Sequence, residues 1–157
     1  MASKSVEQWF REYGDSHQNS VNKTIHWICV PAITACVIAF FWDLPRPAFM
    51  GQSPYLNWGV IMVALSILFY LRLSVSLAIG MLIFSAAVIA GIITYEKLGI
   101  SPVYQLALVV FVAAWIGQFA GHKIEGKKPS FFQDIQFLLI GPIWLLGFLY
   151  RKLGIPY

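Results

Sequence analysis

LSVSLAIGMLIFSAAVIAGIITY (73–95) is a run of 23 residues without one charged side chain. At about 1.5 Å of rise per residue it makes a helix of roughly 35 Å, enough to cross the ~30 Å hydrocarbon layer of a bilayer. Uncharged runs recur at 24–42, 47–71, 98–121 and 135–150. Of the 157 residues 59% are hydrophobic and 11% charged, against about 45–50% and 25% in an ordinary soluble domain, and mean hydropathy is +0.70. The expected fold is an all-α integral membrane protein. It forms a single domain over 1–157, with four to five transmembrane helices and an N-terminal amphipathic interfacial helix. Too little chain remains for a Rossmann unit or a nucleotide-binding loop, so any chemistry sits at the membrane surface or between helices.

Upstream of this run, SKSVEQWFRE (3–12) and Tyr13 put Val6, Trp9, Phe10 and Tyr13 at i, i+3, i+4 and i+7, the pattern of an amphipathic helix in the headgroup region. Gly14 ends it, and DSHQNSVN (15–22) is dense in turn and cap formers, so a fresh helix starts near Asn19 or Ser20. Residues 1–23 thus form an amphipathic helix and a histidine-bearing loop, and 24–121 hold four spans: 24–42, 55–71, 73–95 and 103–121. Pro31 lies in the first and is expected to kink it. Downstream come a basic loop, 122–134, and a short hydrophobic segment, 135–150, interrupted by Gly141-Pro142, that either crosses or re-enters.

Eleven Lys and Arg against seven Asp and Glu give +4, but the basic residues sit in short loops beside spans and act as topology determinants, not as a nucleic-acid surface. With the N-terminus inside and four crossings, Lys4, Arg11, Lys23, Arg72, Lys123, Lys127 and Lys128 fall inside and Arg46 and Lys97 outside. Arg151 and Lys152 fall outside if the last segment crosses, which weakens the rule, and inside if it re-enters. The N-terminal loop and the 122–134 loop then share the cytoplasmic face. Cys29 and Cys36 are about two helical turns apart and form no disulfide framework. The polar first 22 residues are not expected to act as a removable signal.

His17, His26 and His122 are the three histidines of the chain, and all fall in the two polar segments that this topology places together. Three neutral imidazoles with open positions left over suit a catalytic iron or zinc. On one straight helix His17 and His26 would lie half a turn out of phase, so sharing a metal requires the break that DSHQNSVN supplies. Gln118, His122 and Glu125 form a stripe on one helix face. Glu125 is either a ligand, an orienting partner of a histidine, or a loop carboxylate paired with Lys127 or Lys128. Cys29 fits bundle packing better than metal binding, and Lys123 suits an anionic headgroup. The alternative class is a non-catalytic membrane protein that binds lipid or assists assembly, and the sequence leaves a homo-oligomer open.

EYGDSHQNSVNKTIHWICVP (12–31) and WIGQFAGHKIEGKKPSFFQDIQFLLIGP (115–142) resemble the signatures of the Mpo-like 2-hydroxy fatty acid dioxygenase family over nearly the whole chain. The matching positions are Tyr13, His17, Asn22, His26 and Pro31, then Gln118, Gly121, His122, Glu125 and Pro129, with the His122–Glu125 spacing one residue shorter than in fungal-type members. The resemblance implies an iron(II)-dependent oxygenase of fatty acid α-oxidation. It would take a 2-hydroxy fatty acid and molecular oxygen and release an acid one carbon shorter. It implies His17, His26 and His122 as ligands, Glu125 as a further catalytic residue, and Tyr13, Asn22, Gln118 and Lys123 near substrate or ligands. A bacterial inner membrane, with the N-terminus and metal site on the cytoplasmic side, is the implied location.

Overall fold

A computed structural model describes residues 4–51, 53, 55–126 and 137–157. Among them the fold is helical without a strand: α1 (Val6–Gly14), α2 (Ser20–Trp42), α3 (Trp58–Leu73), α4 (Val75–Leu98), α5 (Val103–Glu125) and α6 (Ile140–Leu153). A 3-10 turn at Ala48–Met50 lies between α2 and α3.

With 23, 24 and 23 residues, α2, α4 and α5 are long and apolar enough to cross a membrane. Their outer surfaces carry Ile79, Ile83, Val109 and Ile116, each more than half exposed, an apolar perimeter suited to hydrocarbon. The second expected span is shorter than its uncharged run. Asn57 accepts the Val60 N–H at 3.0 Å and starts α3 there, leaving 16 residues, about 24 Å of helix.

The α2–α5 pair is the spine, and small residues bring its backbones together. A Cβ at Gly117 would stand 2.7 Å from the Cys29 sulfur, and one at Gly121 would overlap the Asn22 side-chain oxygen. Cys29 is therefore a packing residue. Because Asn22 cannot retreat from the interface, Gly121→Ala should destabilise the protein by about 1–3 kcal/mol. A thermal melt in detergent showing an unchanged midpoint would contradict this close approach.

At the N-terminus the expected break is present: Asn19 caps α2 by accepting the Val21 and Asn22 N–H groups at 2.8 and 3.3 Å. Helix α2 continues through Pro31 without interruption. Val6, Phe10 and Tyr13 of α1 are buried, and they pack against Ile140, Ile143 and Trp144 of α6. The apolar stripe of α1 is thus covered by protein, and Gly147 makes room for the Phe10 ring, which would lie 2.6 Å from a Cβ there.

Among the described residues Gly141 and Pro142 do not interrupt a helix. They occupy the first turn of α6, where a missing N–H costs nothing because the first four have no intrahelical acceptor. At 14 residues, about 21 Å, α6 is shorter than the ~30 Å hydrocarbon layer. It is apolar because it is the centre of a protein core, with α1 on one side and Tyr150 of α6 donating its hydroxyl to the Ser76 carbonyl of α4 at 2.9 Å on the other.

The two ends of the bundle are distinct. At one, Trp42 donates its indole N–H to Glu96 at 3.0 Å and the Tyr104 N–H meets Asp43 at 3.1 Å. At the other lie the 15–19 turn, the end of α5 and the start of α6, and all three histidines.

Candidate metal centre

His17 sits in the turn after α1, His26 two turns into α2, and His122 in the last turn of α5. All three are buried, at 3%, 1% and 7% exposure. Their ring centroids are 4.2 Å (His17–His26), 5.4 Å (His17–His122) and 5.2 Å (His26–His122) apart. One potential ligand atom from each falls within 4.8 Å of the others. The half-turn mismatch between His17 and His26 is resolved by the chain reversal at 15–19.

Backbone carbonyls orient two of these rings. His17 Nδ1 lies 2.6 Å from the Tyr13 carbonyl oxygen and His26 Nδ1 lies 2.9 Å from that of Asn22. A carbonyl oxygen only accepts, so the neutral ring carries its proton on Nδ1 and its lone pair on Nε2. That arrangement, with an outer partner fixing the tautomer, is the usual one for metal-bound histidine. The Tyr13 ring stacks on His17 at 4.2 Å and 8°, and Trp144 closes on Tyr13 at 5.1 Å. The donor set fits one first-row transition ion.

Glu125 is drawn away from the cluster. One carboxylate oxygen accepts the Gln18 N–H at 2.7 Å; the other accepts the Asn19 N–H at 2.9 Å and the Asn22 side-chain amide at 3.0 Å. Three residues on from His122, it faces the turn that precedes α2, where backbone N–H groups favour an anion. These bonds tie Glu125 to the turn that carries His17 and to Asn22, whose carbonyl accepts from His26. Its proposed pairing with Lys127 or Lys128, and Pro129 of the signature, lie outside the described residues.

Asn22, fully buried, links these parts: its side chain binds Glu125 and the Ser16 carbonyl, and its own carbonyl accepts from His26. Gln118 is buried and lines a cavity of about 50 Å³ together with Tyr13 and the three histidines. Lys123 is exposed and is not part of that lining, because one residue beyond His122 the helix has turned by about 100°. The sequence reading missed Trp115 and Thr34, which line the same cavity. The Trp115 indole nitrogen is buried without a hydrogen-bond partner among the described residues. Helical spacing carried the signal: Trp115, Gln118 and His122 are i, i+3 and i+7 on α5, and His26, Val30 and Thr34 are i, i+4 and i+8 on α2.

Fold and site together define a helical protein of membrane character with a buried three-histidine centre at one end of its bundle. The profile of the family described as 2-hydroxy-palmitic acid dioxygenase Mpo1-like matches residues 3–153, and the chain belongs to that family. No curated protein and no solved structure matches the chain.

Proposed function

We propose that this protein is an iron(II)-dependent dioxygenase that shortens 2-hydroxy fatty acids by one carbon at the membrane surface, with His17, His26 and His122 as the metal ligands. The observation that carries this reading is the buried, pre-oriented histidine cluster, in a chain whose family name specifies a 2-hydroxy acid dioxygenase. Iron bound there would supply a Lewis acid for the adjacent hydroxyl and carboxylate of the substrate and a one-electron centre for oxygen. The protein's own groups hold and shield the reacting end. Tyr13 and the Asn22 carbonyl fix two imidazoles, the Trp115 N–H is a buried donor suited to a substrate oxygen, and the apolar walls Val30, Ile33 and Leu138 exclude water. A hydroxy acid reaches this end from lipid, with its headgroup already at the right depth.

Purified protein loaded with iron(II) should consume one oxygen molecule per long-chain 2-hydroxy acid and release the acid one carbon shorter, with the lost carbon as carbon dioxide and the remaining oxygen as water. The unhydroxylated acid should stay untouched, since only the hydroxy acid carries the adjacent hydroxyl and carboxylate that a metal held by the histidines would bind together. Absence of oxygen uptake with 2-hydroxy acids of several lengths in lipid would shift the assignment to a lipid-binding role. We also assign the histidine end to the cytoplasmic side from the seven-to-two distribution of Lys and Arg over residues 1–128. We place it in a bacterial inner membrane from the family resemblance, and treat 1–157 as one membrane domain because the apolar spans leave too little chain for another. In intact cells an impermeant thiol reagent should label Ser53→Cys but not Gln8→Cys, both exposed positions at opposite ends of the bundle. Labelling of Gln8→Cys alone reverses the orientation.

A further inference from the structure

The metal cavity, at about 50 Å³, has no room for an acyl chain. Three larger apolar cavities surround the bundle, of about 270, 170 and 330 Å³. The first, between α2, α4 and α5, and the second, between α2, α4 and α6, share no lining residue with the metal cavity. The third lies between α2, α3 and α4, and it shares Thr34 and Leu138 with the metal cavity.

Its wall is apolar by construction. Among its polar side chains, Thr34 donates its hydroxyl to the Val30 carbonyl at 2.9 Å, Ser66 to the Met62 carbonyl at 2.9 Å, and Tyr70 to the Leu139 carbonyl at 2.9 Å. With those hydroxyls turned into backbone acceptors, the surface left to an occupant is methyl, methylene and ring apart from the single small hydroxyl of Ser85. Leu65 and Phe41, both exposed, stand at its outer edge, so it opens toward the hydrocarbon layer. The Tyr70–Leu139 bond ties α3 to the segment that closes the junction.

We propose that this cavity holds the acyl chain of the hydroxy acid, which enters from lipid between α2 and α3 and passes Thr34 and Leu138 to reach the histidines. The inference rests on the 2-hydroxy acid reading and adds residues that determine chain length. The gain in moving a chain from lipid into this cavity is small, because hydrocarbon is as apolar as its walls. Selection therefore comes from shape: a chain too long for the space clashes or bends, whereas a shorter one fits. Ser66, small and bonded only to its own helix, sits where added bulk shortens the space.

Ser66→Phe should lower kcat/KM for the longest accepted 2-hydroxy acid by roughly 10-fold or more while sparing short ones. Its iron content should match the unsubstituted protein. An equal loss at all chain lengths with iron retained overturns the proposal. A 2-hydroxy acid bearing a diazirine at its far end gives a readout independent of turnover, with labelled residues mapped by mass spectrometry. Labelling of Met62, Ser66, Met81 or Ser85 supports the cavity, even if no 2-hydroxy acid is turned over and the oxygenase reading falls. Labelling confined to Ala35, Val88 and Val110 of the 270 Å³ cavity, or to the outer face of α5, overturns it.

Discussion

Replacing any one of His17, His26 or His122 by Ala is expected to strip the metal from the purified protein while leaving the helical bundle assembled. Each imidazole supplies one of three nitrogens within 4.8 Å of one another, so two remaining ligands hold a first-row ion far more weakly. The loss should exceed the roughly 10–100-fold that follows removal of an outer partner. The bundle should survive because its cohesion lies elsewhere, in the α2–α5 spine and the α1–α6 core. Metal content by elemental analysis and helicity by circular dichroism decide it: full occupancy in two of the three variants would falsify the three-histidine centre. Oxygen consumption should vanish with the metal.

Glu125→Ala should have the next largest effect, through a different route. Its carboxylate gathers two backbone N–H groups and the Asn22 amide. Charge-assisted bonds of this kind are worth about 1.5–3 kcal/mol each when buried, and less here because Gln18 and Asn19 are exposed. The 15–19 turn should loosen and His17 lose its fixed position, weakening metal affinity by roughly 10–100-fold. Saturating iron should then restore much of the activity, which it cannot do for a histidine variant. Glu125→Gln keeps one acceptor oxygen and should fall between the two. If Glu125→Ala with excess iron stays as inactive as His122→Ala, the carboxylate takes part in the chemistry directly.

The helices and the identity of the three histidines are legible in the chain because they depend on local information. Length without charge marks α2, α4 and α5, the 3-4 spacing of Val6, Phe10 and Tyr13 marks α1, and DSHQNSVN announces the break before Ser20. The convergence of His17, His26 and His122 followed from counting crossings, which needs only the order of apolar and polar segments. Their family signature is likewise local, in residues 12–31 and 115–142.

Tertiary structure decided what hydropathy cannot distinguish, namely whether an apolar surface meets lipid or protein. Residues 140–153 and the stripe of α1 read as membrane-facing, yet they bury each other, because burial in a core and burial in hydrocarbon favour the same side chains. It also decided which groups Glu125 meets, since a spacing of three from His122 fixes only a helix face. The partners on that face, the Gln18 and Asn19 N–H groups and the Asn22 amide, come from more than 100 residues away in sequence. The junction at Thr34 and Leu138 is of the same kind: no local pattern joins a residue of α2 to one beyond α5, and only packing around a shared space does so.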